Sequence, residues 1–288
     1  MSPFLSEFSN PWHDVLAVLS AILLVVVPVE QILTLKILGE RNNRRKRLTP
    51  YLINLAVANL VFVFSSLTFS LGSNLSRRYI ANKATCIVFG YLQSASVLVT
   101  FATFAACTVI VYNTATELKV NNVILNRRKD TMLVLGMWLY CFVILIPTII
   151  IWNRNTFHPN TFGCIPIWPL KTPEDIAYFV IFTILGFSMP MIVNFVYSVK
   201  IYLFFGSNMH LLQMSYSQRK RYQEYKKVSK MMITSVVVYS ICWTPFTIVG
   251  LVSLSGYTPS PALRAIPYLM SMCGVLFNSI IYAIFNAK

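Results

Sequence analysis

The chain has 288 residues, of which 56% are hydrophobic and only 11% charged. A water-soluble domain carries about a quarter charged residues, so this composition excludes one and describes an integral membrane protein. The net charge of +15 raises nucleic-acid binding, but the basic residues sit in short loops between apolar runs, where they orient a chain in the lipid bilayer. No nucleic-acid partner is expected.

Seven apolar runs follow one another, at roughly 15–38, 50–72, 85–113, 131–152, 176–205, 228–254 and 262–286. Each is long enough to cross a hydrocarbon core as a helix. Transmembrane strands would give short alternating segments instead. The expected fold is all-α membrane, a seven-transmembrane helix bundle forming a single domain over 1–288. The first run is too long for a signal peptide, lacks a basic flank and is not followed by a small-residue cleavage site. No paired halves of a transporter stand out.

One set of loops carries Arg41, Arg44, Arg45, Lys46 and Arg47, then Lys119, Arg127, Arg128 and Lys129, then Arg219, Lys220, Arg221, Lys226 and Lys227. The opposite set is poorer in Lys and Arg, so the first set is cytoplasmic, the N-terminus outside and the C-terminus cytoplasmic. Four of the six cysteines, Cys107, Cys141, Cys242 and Cys273, fall within spans and read as unpaired core residues. Cys86 and Cys164 both face the oxidising side. A disulfide between them would pin the loop after span four over the bundle mouth, and two free thiols are the alternative. Asn74-Leu75-Ser76 is an outer glycosylation sequon close to the membrane.

In span six, Cys242-Trp243-Thr244-Pro245-Phe246 places a proline deep in an apolar run. It removes the hydrogen bond to the Ile241 carbonyl and kinks the helix. Span seven carries Asn278-Ser279-Ile280-Ile281-Tyr282. With Leu55-Ala56-Val57-Ala58-Asn59-Leu60 in span two, Trp138 in span four and Pro190 in span five, the chain resembles a rhodopsin-like G-protein-coupled receptor over nearly its whole length. The motifs matched are C-W-x-P, N-P-x-x-Y and L-A-x-A-D-L, and Cys86 and Cys164 match the family disulfide. The last two spans are similar to opsins of the melanopsin type, and amine receptors are a second resemblance.

The departures bear on function. Opsins bind retinal through a span-seven lysine, and the matching position here is Met272. A Schiff base needs an amine, so no covalent retinal, and no other cofactor, is expected. The aspartate that pairs with ligand ammonium groups in amine receptors is matched by Gln93. The Asp/Glu-Arg-Tyr triplet closing span three is matched by Ile110-Val111-Tyr112, without the arginine that meets the G protein. Asn59 replaces the family aspartate, and Ser279 the motif proline.

The resemblance implies a ligand pocket formed by Gln93, Val97, Phe182, Trp243, Phe246, Thr247, Tyr268 and Met272. For most of these the bland alternative is helix packing. It also implies an activation switch of Trp243, Pro245, Asn278, Tyr282, Asn59 and Tyr112, with Tyr112, Tyr197 and Tyr282 as an inner hydroxyl cluster. Glu30, a carboxylate within span one, either joins Gln31, Asn59 and Asn278 in a polar network or is a protonated or snorkelling group with no role. No enzyme or metal constellation appears, since His13, His158 and His210 are scattered. The reading is a divergent, opsin-related receptor of the plasma membrane. It senses a small molecule non-covalently and signals to a heterotrimeric G protein by outward motion of helix six. The alternatives are a non-signalling or decoy opsin-like protein, or a transporter.

Overall fold

The structure, a computed structural model, describes residues 10–41, 43, 46–77, 80, 82–117, 127–152, 157–160, 163–166, 172–206, 215–257 and 260–286. Long apolar runs fold as helices because lipid offers no partner for backbone N–H and C=O groups. The chain forms α1 (Asn10–Gly39), α2 (Thr49–Ser76), α3 (Lys83–Glu117) and α4 (Arg127–Trp152), then β1 (Phe157–Asn160) and β2 (Gly163–Pro166). Next come α5 (Pro173–Phe182), a π-helical turn (Thr183–Ser188), α6 (Met189–Gly206), α7 (Tyr216–Ser253) and α8 (Pro261–Asn286). Span five is thus the continuous α5–α6 segment, span six is α7 and span seven is α8. Among the described residues, six helical segments are long and apolar enough to cross a membrane, and α8 supplies the seventh.

The expected spans lie almost wholly inside these helices. The largest difference is at α7, which starts at Tyr216 rather than near 228. Hydropathy marks only the part of a helix that lies in lipid. Here the helix continues into water as a charged extension, started by a capping box. The Ser215 side chain accepts from the Gln218 N–H while the Gln218 side chain accepts from the Ser215 N–H at 2.9 Å.

The helices pack with α1 against α2 and α7 against α8, while α3 runs through the centre and touches α2, α4, α6 and α7. Gly186, within the π-helical turn, lets span five approach α3. A Cβ there would lie 2.7 Å from Leu98 Cδ2. The wider turn precedes Pro190, which cannot donate and crowds the carbonyl four residues back. Large apolar side chains such as Phe195, 70% exposed, and Leu139, 66% exposed, cover the outside of the bundle. In water that surface would drive aggregation; in lipid it is the solvent-matched face.

The loop after α4 carries an antiparallel hairpin, which hydropathy does not mark. Its register sets Pro159 opposite Cys164, and β2 lies against α2 and α3. Cys86, at the start of α3, is fully buried and disulfide-bonded. The side chain of Cys164 lies outside the described ones. Cys107, Cys141, Cys242 and Cys273 are free thiols.

Asn74, the sequon asparagine, lies inside the α1–α2 pair. It is 1% exposed, its Nδ2 donates to the Ser70 carbonyl at 2.7 Å, and its Oδ1 contacts His13. Both ends of this amide are engaged within the helix pair.

Candidate functional site

At mid-depth the site is aromatic. Trp243 is buried, and its ring meets Phe62 of α2 edge-on at 6.0 Å and Phe246 at 5.9 Å. One turn inward, Tyr239 lies 6.0 Å from Trp243 and packs on Phe101 at 4.9 Å and Phe104 at 5.5 Å, both from α3. Phe101 in turn meets Phe187 of the π-helical turn at 5.0 Å. Edge-to-face pairs of this kind contribute about 0.5–1.5 kcal/mol each beyond burial. The indole therefore stands on a relay of rings joining α2, α3, α7 and span five.

Pro245 lies within α7, two residues past the indole. The Thr244 hydroxyl donates to the Ser240 carbonyl at 2.7 Å and the Thr247 hydroxyl to the Trp243 carbonyl at 3.4 Å. These bonds hold hydroxyls against the backbone on both sides of the proline, as polar side chains do where a ladder is interrupted in lipid.

The structure brings together part of the expected pocket. Trp243, Tyr268 and Met272 share one buried apolar cluster, with Val97 and Phe246 packed on it. Phe182 sits elsewhere, packed on the cluster that Leu98, Cys141 and Leu145 share with Ala58 of α2, and beside Tyr178 at 6.1 Å. Gln93 is half-buried, and its Oε1 is buried with no hydrogen-bond partner among the described residues. The Tyr268 hydroxyl points to α2, where it meets Ser66 Oγ at 3.1 Å. Met272 is 3% exposed. Its thioether sits where a retinal-binding chain needs an amine, so these residues do not fit a covalent chromophore.

Further in, a cavity of about 30 Å³ opens between α1, α2, α7 and α8. Its polar lining is Gln31, Thr34, Asn59, Ser235, Asn278 and Tyr282, and Phe104, Met231 and Met232 complete its walls with Leu52, Leu55 and Ala56. That volume holds about two water molecules. Gln31, Asn59 and Asn278, named with Glu30 as one possible polar network, lie together there with Ser235 and Thr34, which the motifs did not single out. Glu30 is not among the lining residues.

At the cytoplasmic end, Val111 is fully buried. It belongs to an apolar cluster with Ile201 and Phe205 of α6, Tyr222, Met231 and Met232 of α7, and Ile281 of α8. Tyr112 and Tyr197 meet edge-on at 5.7 Å, and the Lys200 ammonium lies 4.8 Å above the Tyr197 ring and 5.7 Å above that of Tyr112. Tyr282 packs on the same cluster from α8.

Two polar ties were not anticipated. Asn54 donates to Thr103 Oγ1 at 2.7 Å and accepts from the Trp138 indole N–H at 2.7 Å, joining α2, α3 and α4. Tyr51 donates to Asp130 Oδ1 at 2.9 Å. The available signal was Asn54 itself, since an amide inside a span must find partners.

The family pattern of the 7 transmembrane receptor (rhodopsin family) matches residues 30–282. The chain belongs to that family. It is an opsin-related, class A receptor and not an enzyme. Melanopsin of Felis catus is 23% identical over 249 residues, covering 83% of this chain and 51% of that protein. The protein named rhodopsin, GQ-coupled, of Mizuhopecten yessoensis is 22% identical, covering 97% of this chain and 58% of that one. The chain thus spans a little over half the length of these relatives. The crystal structure of squid rhodopsin superposes with a TM-score of 0.87 at 17% identity, over 99% of this chain and 86% of that one. At that identity the likeness supports the fold.

Proposed function

We infer that this multi-pass membrane protein is a plasma-membrane receptor that senses a small, largely apolar molecule without a covalent bond and signals through α7. The observation that carries the reading is the position of Trp243: buried, in ring contact with α2, and linked through Tyr239 to α3, just before the Pro245 interruption. A ligand that repacks the indole changes the balance between two arrangements of α7, provided it binds one of them better. Cys164 is assigned as the partner of Cys86, fastening the β1–β2 hairpin over the entrance. Gln93, with a buried carbonyl oxygen to offer, is the polar group assigned to orient the ligand. Retinal chemistry is not assigned, because Met272 supplies no amine.

The G protein would enter where α7 parts from α3. Val111 stands at the position of the family arginine; the contact to be opened is the apolar cluster around it, flanked by Lys200 and by Arg47, which donates to the Thr114 hydroxyl at 3.2 Å. That same observation favours a second reading, an opsin-like protein that occupies ligand without signalling. A panel of heterotrimeric G proteins distinguishes the two, beginning with the Gq class after the name of the scallop relative. Nucleotide exchange by the expressed chain, reduced in Pro245→Ala at equal surface abundance, supports the receptor. Silence with every G protein despite surface expression supports the non-signalling reading. Added retinal should give no red-shifted, acid-stable band in the wild chain; such a band would overturn the non-covalent assignment.

A further inference from the structure

The two sides of α3 treat the same residue types differently. On the α2–α4 side, Asn54 has both ends of its amide paired, with Thr103 and with the Trp138 indole N–H, and the Tyr51 hydroxyl donates to Asp130. On the α6–α7 side, an asparagine and a tyrosine keep polar atoms without partners. Asn194 of α6 is 1% exposed, and its Oδ1 lies 3.3 Å from the Thr108 hydroxyl, which also donates to the Ala105 carbonyl at 3.0 Å. Its Nδ2 is buried with no hydrogen-bond partner among the described residues. Turning the amide end for end exchanges an orphaned donor for an orphaned acceptor and removes nothing. Ser198, one turn further inward on α6, has a buried Oγ in the same condition.

Tyr222, two turns into α7, is the third such residue. Its side chain is fully buried, with its ring 5.0 Å from that of Phe205 and 6.3 Å from that of Phe204, both of α6. It belongs to the apolar cluster that holds Val111 and Cys107. Its hydroxyl has no partner among the described residues. A buried amide or hydroxyl without a partner is a net cost of the packing that buries it. That cost disappears when water or another polar group reaches the atom. The closed seam between α3, α6 and α7 is therefore held by apolar contact and opposed by its own polar groups.

We propose that this seam is a built-in opening edge. Parting of α7 from α6 and α3 hydrates Tyr222, Ser198 and Asn194, and their hydration offsets part of the cost of exposing the cluster around Val111. This deepens, and rests on, the reading of α7 as the moving helix: it assigns the line along which the bundle parts and the groups that gain by it. The device uses no charge.

The test uses the full chain in lipid nanodiscs and the native thiol of Cys107, which is free and fully buried in the same cluster. A water-soluble maleimide reaches that thiol when the seam opens, and peptide mass spectrometry separates its label from those on Cys141, Cys242 and Cys273. Y222F removes the hydroxyl and keeps the ring, and N194L removes the amide at nearly the same volume. Each deletes a group that only the open seam satisfies, so Cys107 labelling should slow by roughly fivefold or more. The melting temperature should rise by about 2–4 °C. Faster labelling with a lower melting temperature in both variants overturns the proposal, because the groups are then satisfied in the closed packing. Unchanged labelling, or none in the wild chain, overturns it as well. Should N194L pack poorly, Y222F, which adds no atom, decides alone. Neither measurement needs a G protein, so a chain silent with every G protein can still pass this test and a signalling chain can still fail it.

Discussion

The middle and the inner end of the bundle use the same helices in different ways. Around Trp243 the family motif residues are kept, and the indole meets rings from α2 and α7 in edge-on and tilted geometry. Around Val111 the motif charge is gone, and α3, α6, α7 and α8 close over an apolar cluster. Aromatic contacts are directional. Apolar closure is not, and grows with the area removed from solvent. The same helices therefore combine a directional aromatic contact at mid-bundle with a graded apolar seal at the inner end.

Val111→Arg should disturb that contrast most. A guanidinium in a fully buried apolar position costs on the order of 3–5 kcal/mol when nothing offsets it. Thermal melting should show V111R well below both wild type and V111L; equal melting would mean that the seal is not what holds the inner end closed. Trp243→Ala comes next, removing roughly 3 kcal/mol of core packing. Its expected signature is a larger fall in signalling than in surface abundance, measured on the same cells. Equal losses would make the indole ordinary core.

Asn54→Ala should cost about 2 kcal/mol, because it strands the Trp138 N–H inside the bundle and removes the tie to Thr103. It lies away from both regions, so abundance should fall while signalling per surface molecule is kept. Lys200→Met should have the smallest effect, about 0.5–1 kcal/mol, the scale of an exposed cation–π contact. A melting shift much larger than that would indicate that the inner end still depends on a cation after all.

Several features of the site were legible before the fold. A polar network of Glu30 with Gln31, Asn59 and Asn278 was one of two readings of the sequence, since polar groups in lipid-spanning helices turn inward; Gln31, Asn59 and Asn278 line one cavity. Glu30, the neighbour of Gln31, was an equally good guess and is not on that lining. One residue is about 100° of helix rotation, and sequence position does not say which rotation the packing selects. Phe182 was placed in the pocket by resemblance; it lies just before the π-helical turn and packs on a different cluster from Trp243. The Asn74 sequon is a local pattern, whereas the residue's burial involves His13, far away in the chain.

The sequence by itself determined the number of crossings, the orientation, the helix that carries the proline and the missing amine at Met272. These follow from local hydropathy, loop charge and covalent chemistry, none of which needs a partner. Only the tertiary structure decided that Val111 seals rather than links, that Asn54 ties three helices, and that His13 meets Asn74. Those are relations between faces of different helices, and they exist only once depth and rotation are set by packing.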